Sequence, residues 1–485
     1  MIRLPFVLCL GAAVLAGCAS VGPDYHVPAD SAFARTQQRA AAFDDGGAAA
    51  VATTLPAVEG MWWSLYDDPA LDVLVRQALK VNAQVRVATA RLAQAQARYA
   101  QARAAGGPDA AVHGAVARSR TSAESMLLAE PLPPADVAEG GLSLSYQLDL
   151  FGRLRRAAEA AHASAEAAQA ASDLARITVA AAVVGAYAEI CHSNHELQVA
   201  HRSIRVQQRS RDVAARLLSA GRGTSTAVAR ADSQLALLQA SVPPLETQRL
   251  AAGYELAALL DLAPDQVPAA AMQCAQAPVL KQAIPVGDGA ALLRRRPDVR
   301  QAERALAAAT AEVGVATAAL YPDIRLGASF GASGALEDFG KPATQLWSLG
   351  PLISWSLPDR GAHARVAAAR AGADAALAEF DRVVLGALKE TQTLLTRYAQ
   401  DLRRETALRA SRDQARTAAA DEQRLYQAGR HPYLSSLDAN RTLAGADAAL
   451  ASIEAQVTQD QIRLFLALGG GWHAGATAIA DASGR

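Results

Sequence analysis

Cysteine and histidine carry much of enzyme chemistry, and in this chain they gather in one place. Cys191, His192 and His195 fall within about one helical turn, with His201 further along. That spacing would let a thiolate and two imidazoles approach one metal ion, or let an imidazole activate a thiol. Either chemistry needs convergent partners from elsewhere, and groups behind them that fix their orientation. The other histidines are scattered, and no phosphate loop, nucleophile elbow or paired-carboxylate site stands out. The three residues sit in a helical stretch and are expected on a solvent-washed face. The expectation is a protein that is not an enzyme, with no catalytic residue, cofactor or metal.

A different reactive residue opens the chain. Arg3 supplies a positive region and Leu4 to Val14 a short apolar one, ending in Leu15-Ala16-Gly17-Cys18. This is a leader, expected over 1–17, with the form of a bacterial lipobox. Cys18 would become the lipidated mature N-terminus. Ala19 stands where an Asp would favour inner-membrane retention, so the outer membrane is expected, with its lipid as a partner. Besides Cys18 the mature chain has only Cys191 and Cys274. In an oxidising periplasm these are either bridged or two buried free thiols, and the sequence leaves both open.

Two long stretches must position everything else. Arg153 to Ala220 has no proline and one glycine and is dense in Ala, Arg, Gln and Leu, all strong helix formers. As one helix its 68 residues would run roughly 100 Å. Arg365 to Ala428 repeats the design. Such helices cannot bury their apolar faces in an ordinary globule and must pack lengthwise against others. Residues seven apart (Leu443, Leu450, Val457, Leu464; Leu388, Leu395, Leu402) favour left-handed packing. With 47 basic and 47 acidic residues the formal net charge is zero, so nothing points to nucleic acid. Aromatics are 5%, low for an enzyme-like core.

Four short segments alternate with period two. They are Ala110 to Arg118, Leu142 to Leu150, Ile324 to Phe330 and Trp347 to Leu357. Each would have an oily and a wet face, and the lengths suit tilted membrane strands of about 9–11 residues. Ser143, Ser145, Gln147, Asp149, Arg325 and Ser329 would line a wet lumen. Open edges in lipid leave backbone groups unsatisfied. Four strands cannot close, since about eight is the practical minimum. Several chains must therefore share one barrel.

The halves correspond. Gly221-Arg222-Gly223 recurs as Gly429-Arg430-His431, 208 residues later. Gly107-Pro108-Asp109 matches Tyr321-Pro322-Asp323 at an offset of 214. Each half reads helix, strand, strand, very long helix, tight turn, returning helix. The expected fold class is α+β, a membrane β-barrel of four strands per chain continuous with long helices. The divisions are a lipidated extended tether over 18–60, a first repeat over 61–282 with strands about 109–150, a second over 283–470 with strands about 323–357, and a flexible tail over 471–485. In the first repeat one helix from about Ala70 to Ala105 follows Trp62 and Trp63, with Asp68 as N-cap and Pro69 first in the helix. Pro243-Pro244 break the first returning helix. Arg294 to Arg296 end one short helix, and Pro297-Asp298 begin another. Asp288 is expected to cap the first.

The residues Cys18 with Val21-Gly22-Pro23-Asp24-Tyr25, Trp63 to Pro69, Ala220 to Gly223, Leu293 to Arg300 followed by Ala302-Glu303, and Tyr426 to Gly429 resemble the TolC-like outer-membrane factors, in the OprM/NodT branch of lipoproteins. The resemblance covers nearly the whole mature chain. It implies a homotrimer with a shared barrel and a periplasmic tunnel of helices. It implies an exit duct for small toxic compounds or drugs, partnered by a periplasmic adaptor (membrane fusion) protein and an inner-membrane, proton-driven resistance-nodulation-division transporter. It also implies that Asp438 lines a narrowed periplasmic entrance. Ser435 and Ala227 depart from further acidic positions there, leaving one carboxylate ring. The alternative is that Asp438 only favours the N-terminal dipole of its helix. The turns at Gly221, Arg222 and Gly223 and at Gly429 and Arg430 would receive the adaptor. The competing reading is a structural coiled-coil lipoprotein or adhesin with no conduit.

Overall fold

The computed structural model describes residues 20–39, 52–53, 61–127, 129–274, 276–280, 284–285, 289–357 and 361–470. The leader over 1–17, Cys18, Asp288 and the tail over 471–485 lie outside the described residues, as does much of 40–60. The chain divides into two compact units, each drawn from both halves of the sequence. One takes the described part of Met1–Pro28 with Leu92–Ala168 and Gln301–Phe380. The other takes Ala29–Arg91, Gln169–Arg300 and Asp381–Arg485.

In chain order the helices are α1 (Ala32–Arg39), α2 (Pro69–Val81), α3 (Ala83–Ala104), α4 (Arg153–Ser219), α5 (Ser225–Ala240), α6 (Val242–Leu259), α7 (Ala269–Met272), α8 (Gly289–Arg295), α9 (Pro297–Ala318), α10 (Ala362–Gln427) and α11 (Tyr433–Ala467). The strands are β1 (Ala52–Thr53), β2 (Asp109–Ser119), β3 (Ala135–Leu148), β4 (Ile284–Pro285), β5 (Asp323–Ala335) and β6 (Gln345–Ser354). Short β1 and β4 pair in parallel.

The first unit holds an antiparallel sheet in the order β2-β3-β5-β6. Residues opposite one another share a face, so the register sorts side chains into rungs. Val112, Leu142, Phe330 and Trp347 form one rung, and Leu144, Ala328 and Leu349 the next on the same side. Ala111, Ser143, Ser329 and Ser348 form a rung on the other side, where the Ser329 and Ser348 hydroxyls lie 2.8 Å apart. The strands differ from the sequence reading at their ends. β3 begins at Ala135, inside the stretch expected to be a loop, because Gly140 and Gly141 blur the alternation but pair normally. β6 stops at Ser354, before Trp355. Asp149 lies past the end of β3, and its carboxylate caps α4, accepting from Leu154 N (3.0 Å) and Arg155 N (2.9 Å). Its side chain serves a helix N-terminus rather than a lumen face.

The second unit has a core of Leu71, Val75, Val183, Val184, Ile190, Leu256, Leu292 and Leu464 around the paired tryptophans. Trp62 stacks on Phe465 at 4.7 Å between centroids, and Trp63 Nε1 donates to Asp72 at 3.1 Å. Asp68 caps α2 as its sequence suggests, accepting from Ala70 N and Leu71 N. The single helix expected over 70–105 is broken at Asn82, which has ψ 132°. There the Asn82 carbonyl oxygen of the side chain accepts from Gln84 N (2.9 Å), while its Nδ2 donates to Leu259 O (3.0 Å). An exchange of helix continuity for a cap and a tertiary bond explains the break. The tether is not wholly extended either. Ala32–Arg39 is helical, and Ala32 N donates to Asp381 Oδ1 at 2.6 Å. The break at Pro243-Pro244 is present, with α5 and α6 meeting at Ser241.

Candidate functional site

The sheet leaves a large apolar area uncovered. Val112 is 83% exposed, Trp347 76% and Leu349 78%, and Phe330, Ile353, Trp355 and Leu357 are exposed with them. Isolated exposed apolar residues are ordinary, but a continuous face of them marks an interaction surface. The outer edges of β2 and β6 pair with no other described strand. Opposite the apolar face stand Ser143, Ser145, Gln147, Arg325 and Ser329, as the alternation predicts. Asp323 gathers the wet end, accepting from Gln147 (2.7 Å) and pairing with Arg153 (3.3 Å) and Arg325 (3.4 Å).

Two turns in the second unit share one hydrogen-bond pattern. Gly221 has φ +68° and Gly429 φ +70°, the left-handed conformation that glycine adopts freely. In the first turn Gly221 N donates to Leu218 O and Arg222 N to Leu217 O. In the second Gly429 N donates to Tyr426 O and Arg430 N to Leu425 O. Both are Schellman caps, and both put an arginine just past the glycine. Gly223 is required for another reason, since a Cβ there would lie 2.8 Å from Leu218 N. The exits then diverge. Thr224 caps α5 by accepting from Ala227 N (3.2 Å), whereas Pro432 precedes α11 without a side-chain cap. The two turns flank a groove of about 700 Å³ whose walls include Arg222, Thr226, Arg230, Tyr426, His431 and Leu434. Tyr426 and Tyr433 pack edge to face at 5.0 Å, and His431 shares a hydrogen bond with Glu422 (2.9 Å).

Ser435 lies in the first turn of α11, its N–H donating to Pro432 O at 3.1 Å. Asp438 lies one turn further, beyond the helix N-terminus, so the dipole gives it little. It pairs with Arg441 at 2.9 Å and its side chain is 65% exposed.

The cluster that opened the sequence reading is not on a solvent-washed face. Cys191 is fully buried and His192 is 6% exposed, against the expectation. The cause is the connector after α7. Cys191 and Cys274 form a disulfide with Cα atoms 4.9 Å apart, and Asn194 Nδ2 donates to Met272 O and Cys274 O. His192 Nε2 shares a hydrogen bond with Thr458 (2.9 Å). Burial, with the charge of His195 nearby, pushes the His192 pKa down to about 4. Among the described residues no group of three His, Cys, Asp or Glu is placed to hold a metal.

The arginine run is a joint between α8 and α9. Arg295 Nε donates to Leu468 O (2.7 Å). Arg296 bonds Ala467 O (2.7 Å), Asp298 (2.8 Å) and Glu390 (2.9 Å), so its charge is spent inside the protein. A second buried charge lies on α11. Asp460 has no exposed surface and accepts from Gln456 (2.9 Å) beside Arg397 (3.2 Å). Burial and the adjacent Asp401 push its carboxyl up to about 6. Its position on the heptad-bearing helix, amid polar neighbours, gave no signal of burial.

Comparison with known proteins gives a consistent picture. A family model described as outer membrane efflux protein matches residues 74–261 and 290–470. Nodulation protein T of Rhizobium leguminosarum bv. viciae is 30% identical over 414 residues, spanning 85% of this chain and 84% of that protein. The pyoverdine export outer membrane protein OpmQ of Pseudomonas putida is 30% identical over 432 residues, spanning 85% of this chain and 88% of its own. The structure of the outer-membrane channel OprN matches with TM-score 0.85 at 34% identity, over 93% of this chain and 99% of that one.

Proposed function

This chain belongs to the outer membrane efflux protein family, and from that premise we propose that three copies close one barrel and form the exit duct of a tripartite efflux pump. It is a channel protein of the outer membrane and not an enzyme. The observation that supports a shared barrel is the sheet with two edges unpaired among the described strands and an uncovered apolar face, and the family resemblance supplies the number three. In hydrocarbon each unpaired backbone group costs several kcal/mol, so the edges must find strands, and further copies of the chain supply them. The apolar face then meets lipid, and the serine rungs meet a wet lumen.

The two halves of the chain act as structural repeats in this reading, over 61–282 and 283–470. The matching Schellman turns support it, as do the two strands that each half gives to the four-stranded sheet. The lipid on Cys18 is a second anchor. Asp438, exposed and repeated by threefold symmetry, forms a carboxylate ring at the periplasmic entrance, with Ser435 one turn before it. The groove between the turns at Gly221 and Gly429 receives a periplasmic adaptor, which joins the duct to an inner-membrane resistance-nodulation-division transporter. Transport is passive, for small toxic compounds or drugs driven from that pump.

The test is oligomeric state and conductance of the detergent-purified protein. A species of three chains that opens stable single channels in planar bilayers is the expected result. A monomer with no conductance would instead favour a structural lipoprotein without a conduit.

A further inference from the structure

The segment from Val21 to Tyr25 is strapped down. Val21 N donates to Phe151 O at 3.1 Å. Arg156, its side chain 5% exposed, reaches Val21 O (3.3 Å), Gly22 O (3.4 Å) and Asp24 (2.6 Å), and is held by Glu159 (2.8 Å). Tyr25 OH donates to Glu303 at 2.9 Å, and Arg304 lies over its ring at 5.6 Å from the centroid. Gly152 has φ +77°, and a Cβ there would sit 2.2 Å from Ser20 Oγ. A buried arginine with this many partners is costly to form by chance and fixes where the strap lies. Cys18 is two residues before Ser20 in the sequence, a reach of about 7 Å of extended chain.

Beside that point, at the foot of the sheet, is an open groove of about 310 Å³. Phe151 and Tyr321 stack in its wall at 4.5 Å, and Trp355 is held there by its Nε1 donating to Leu320 O (3.3 Å). Leu357 lines it and is 68% exposed. Arg153, which also pairs with Asp323, and His363 supply hydrogen-bond donors at the same groove, beside Gln147, Asp149 and Asp323. It lies next to the Leu148, Ile324 and Ile353 rung of the apolar face. A site with donors at one end and an apolar ramp at the other fits a glyceryl diester better than either a peptide or a purely apolar ligand.

We propose that this groove seats the diacylglyceryl group carried by Cys18, with the ester carbonyls accepting from Arg153 and His363 and the acyl chains lying along the apolar face. The anchor is then part of the barrel wall rather than a free tether. The proposal rests on lipidation of Cys18 and on a membrane-facing sheet.

The test places a photocrosslinking side chain at Leu357→p-benzoylphenylalanine in the full chain, expressed with alkynyl palmitate and purified from membranes. The control is Leu352→p-benzoylphenylalanine, on the opposite face in the rung with Gln147 and Arg325. Mass spectrometry after irradiation should find the position-357 peptide joined to the acylated Cys18 peptide of the same chain, several-fold more than at 352. Label on Cys18 with no such crosslink, with crosslinks to bulk phospholipid only, or with equal yield at both positions would overturn the seat while leaving lipidation intact. No label on Cys18 would overturn the lipidation reading and the seat with it.

Discussion

His192 and Asp460 answer acid in opposite directions. His192 is held neutral by burial, with its pKa at about 4. An unfolded histidine takes its proton at about 6.5, so stability is lost as pH falls from about 6.5 toward 4, by up to about 1.4 kcal/mol per pH unit. Asp460 has a carboxyl pushed up to about 6, so the folded state takes its proton first. Stability is gained as pH falls through about 6 toward the unfolded value of about 3.9. In the native protein the two largely offset. Thermal melts from pH 7 to 4.5 should show His192→Asn gaining stability on acidification and Asp460→Asn losing it more steeply than the parent. Parallel curves for all three would show that neither group titrates as its burial requires. Arg296→Ala should lower stability by about 3 kcal/mol, the low end for a buried pair because Glu390 is half exposed. Denaturant midpoints would measure it, and a change under 1 kcal/mol would mean the joint is held by packing alone. The Arg296 joint was legible because proline and aspartate punctuate helices in a known way. The burial of Cys191 and His192 was not, because the covering connector reaches them across 83 residues of sequence.

At the scale of elements, period-two alternation marks the strands and their faces, but glycine and alanine hide the start of β3 and the end of β5, while the alternation runs three residues past the end of β6. The break at Asn82 is not legible in the sequence, because its local cap to Gln84 N competes with helix continuity and the Leu259 O that tips the balance is far away in sequence. The rungs allow a sharp test. Leu144 stands between Ala110 and Ala328 on the apolar face, whereas Ser145 faces Asp109 and Gly327 on the other. Leu144→Arg should cost about 2–4 kcal/mol near the bilayer midplane, while Ser145→Arg should be nearly silent. Folding into lipid vesicles measured by urea titration distinguishes them, and equal losses would invert or abolish the facing. The connector gives a second test. Alkylation without reductant should leave Cys191 and Cys274 unmodified, and replacing both with alanine should cost about 2–4 kcal/mol. Two alkylated cysteines in the native protein would refute the bridge.

For the molecule as a whole, a charge repeated by symmetry acts as a ring. Asp438→Ala should raise single-channel conductance or weaken cation preference in planar bilayers, and reduce block by multivalent cations, if the three carboxylates narrow one entrance. Wild-type behaviour on all three counts, with the trimer intact, would reduce Asp438 to the surface partner of Arg441.

Each compact unit also draws on early and late parts of the chain, and this bears on biogenesis. The chain enters the periplasm N-terminus first, yet Trp62 has its stacking partner at Phe465, 403 residues later. β3 must wait for β5, and Val183 and Ile190 share a core with Leu464. The first unit waits for residues up to Phe380, and the second cannot be completed until the last helix has arrived. Such distant pairing makes folding slow, and leaves sticky surface uncovered during export. A premature stop before Tyr433 would therefore yield not a shorter channel but a substrate for periplasmic chaperones and proteases.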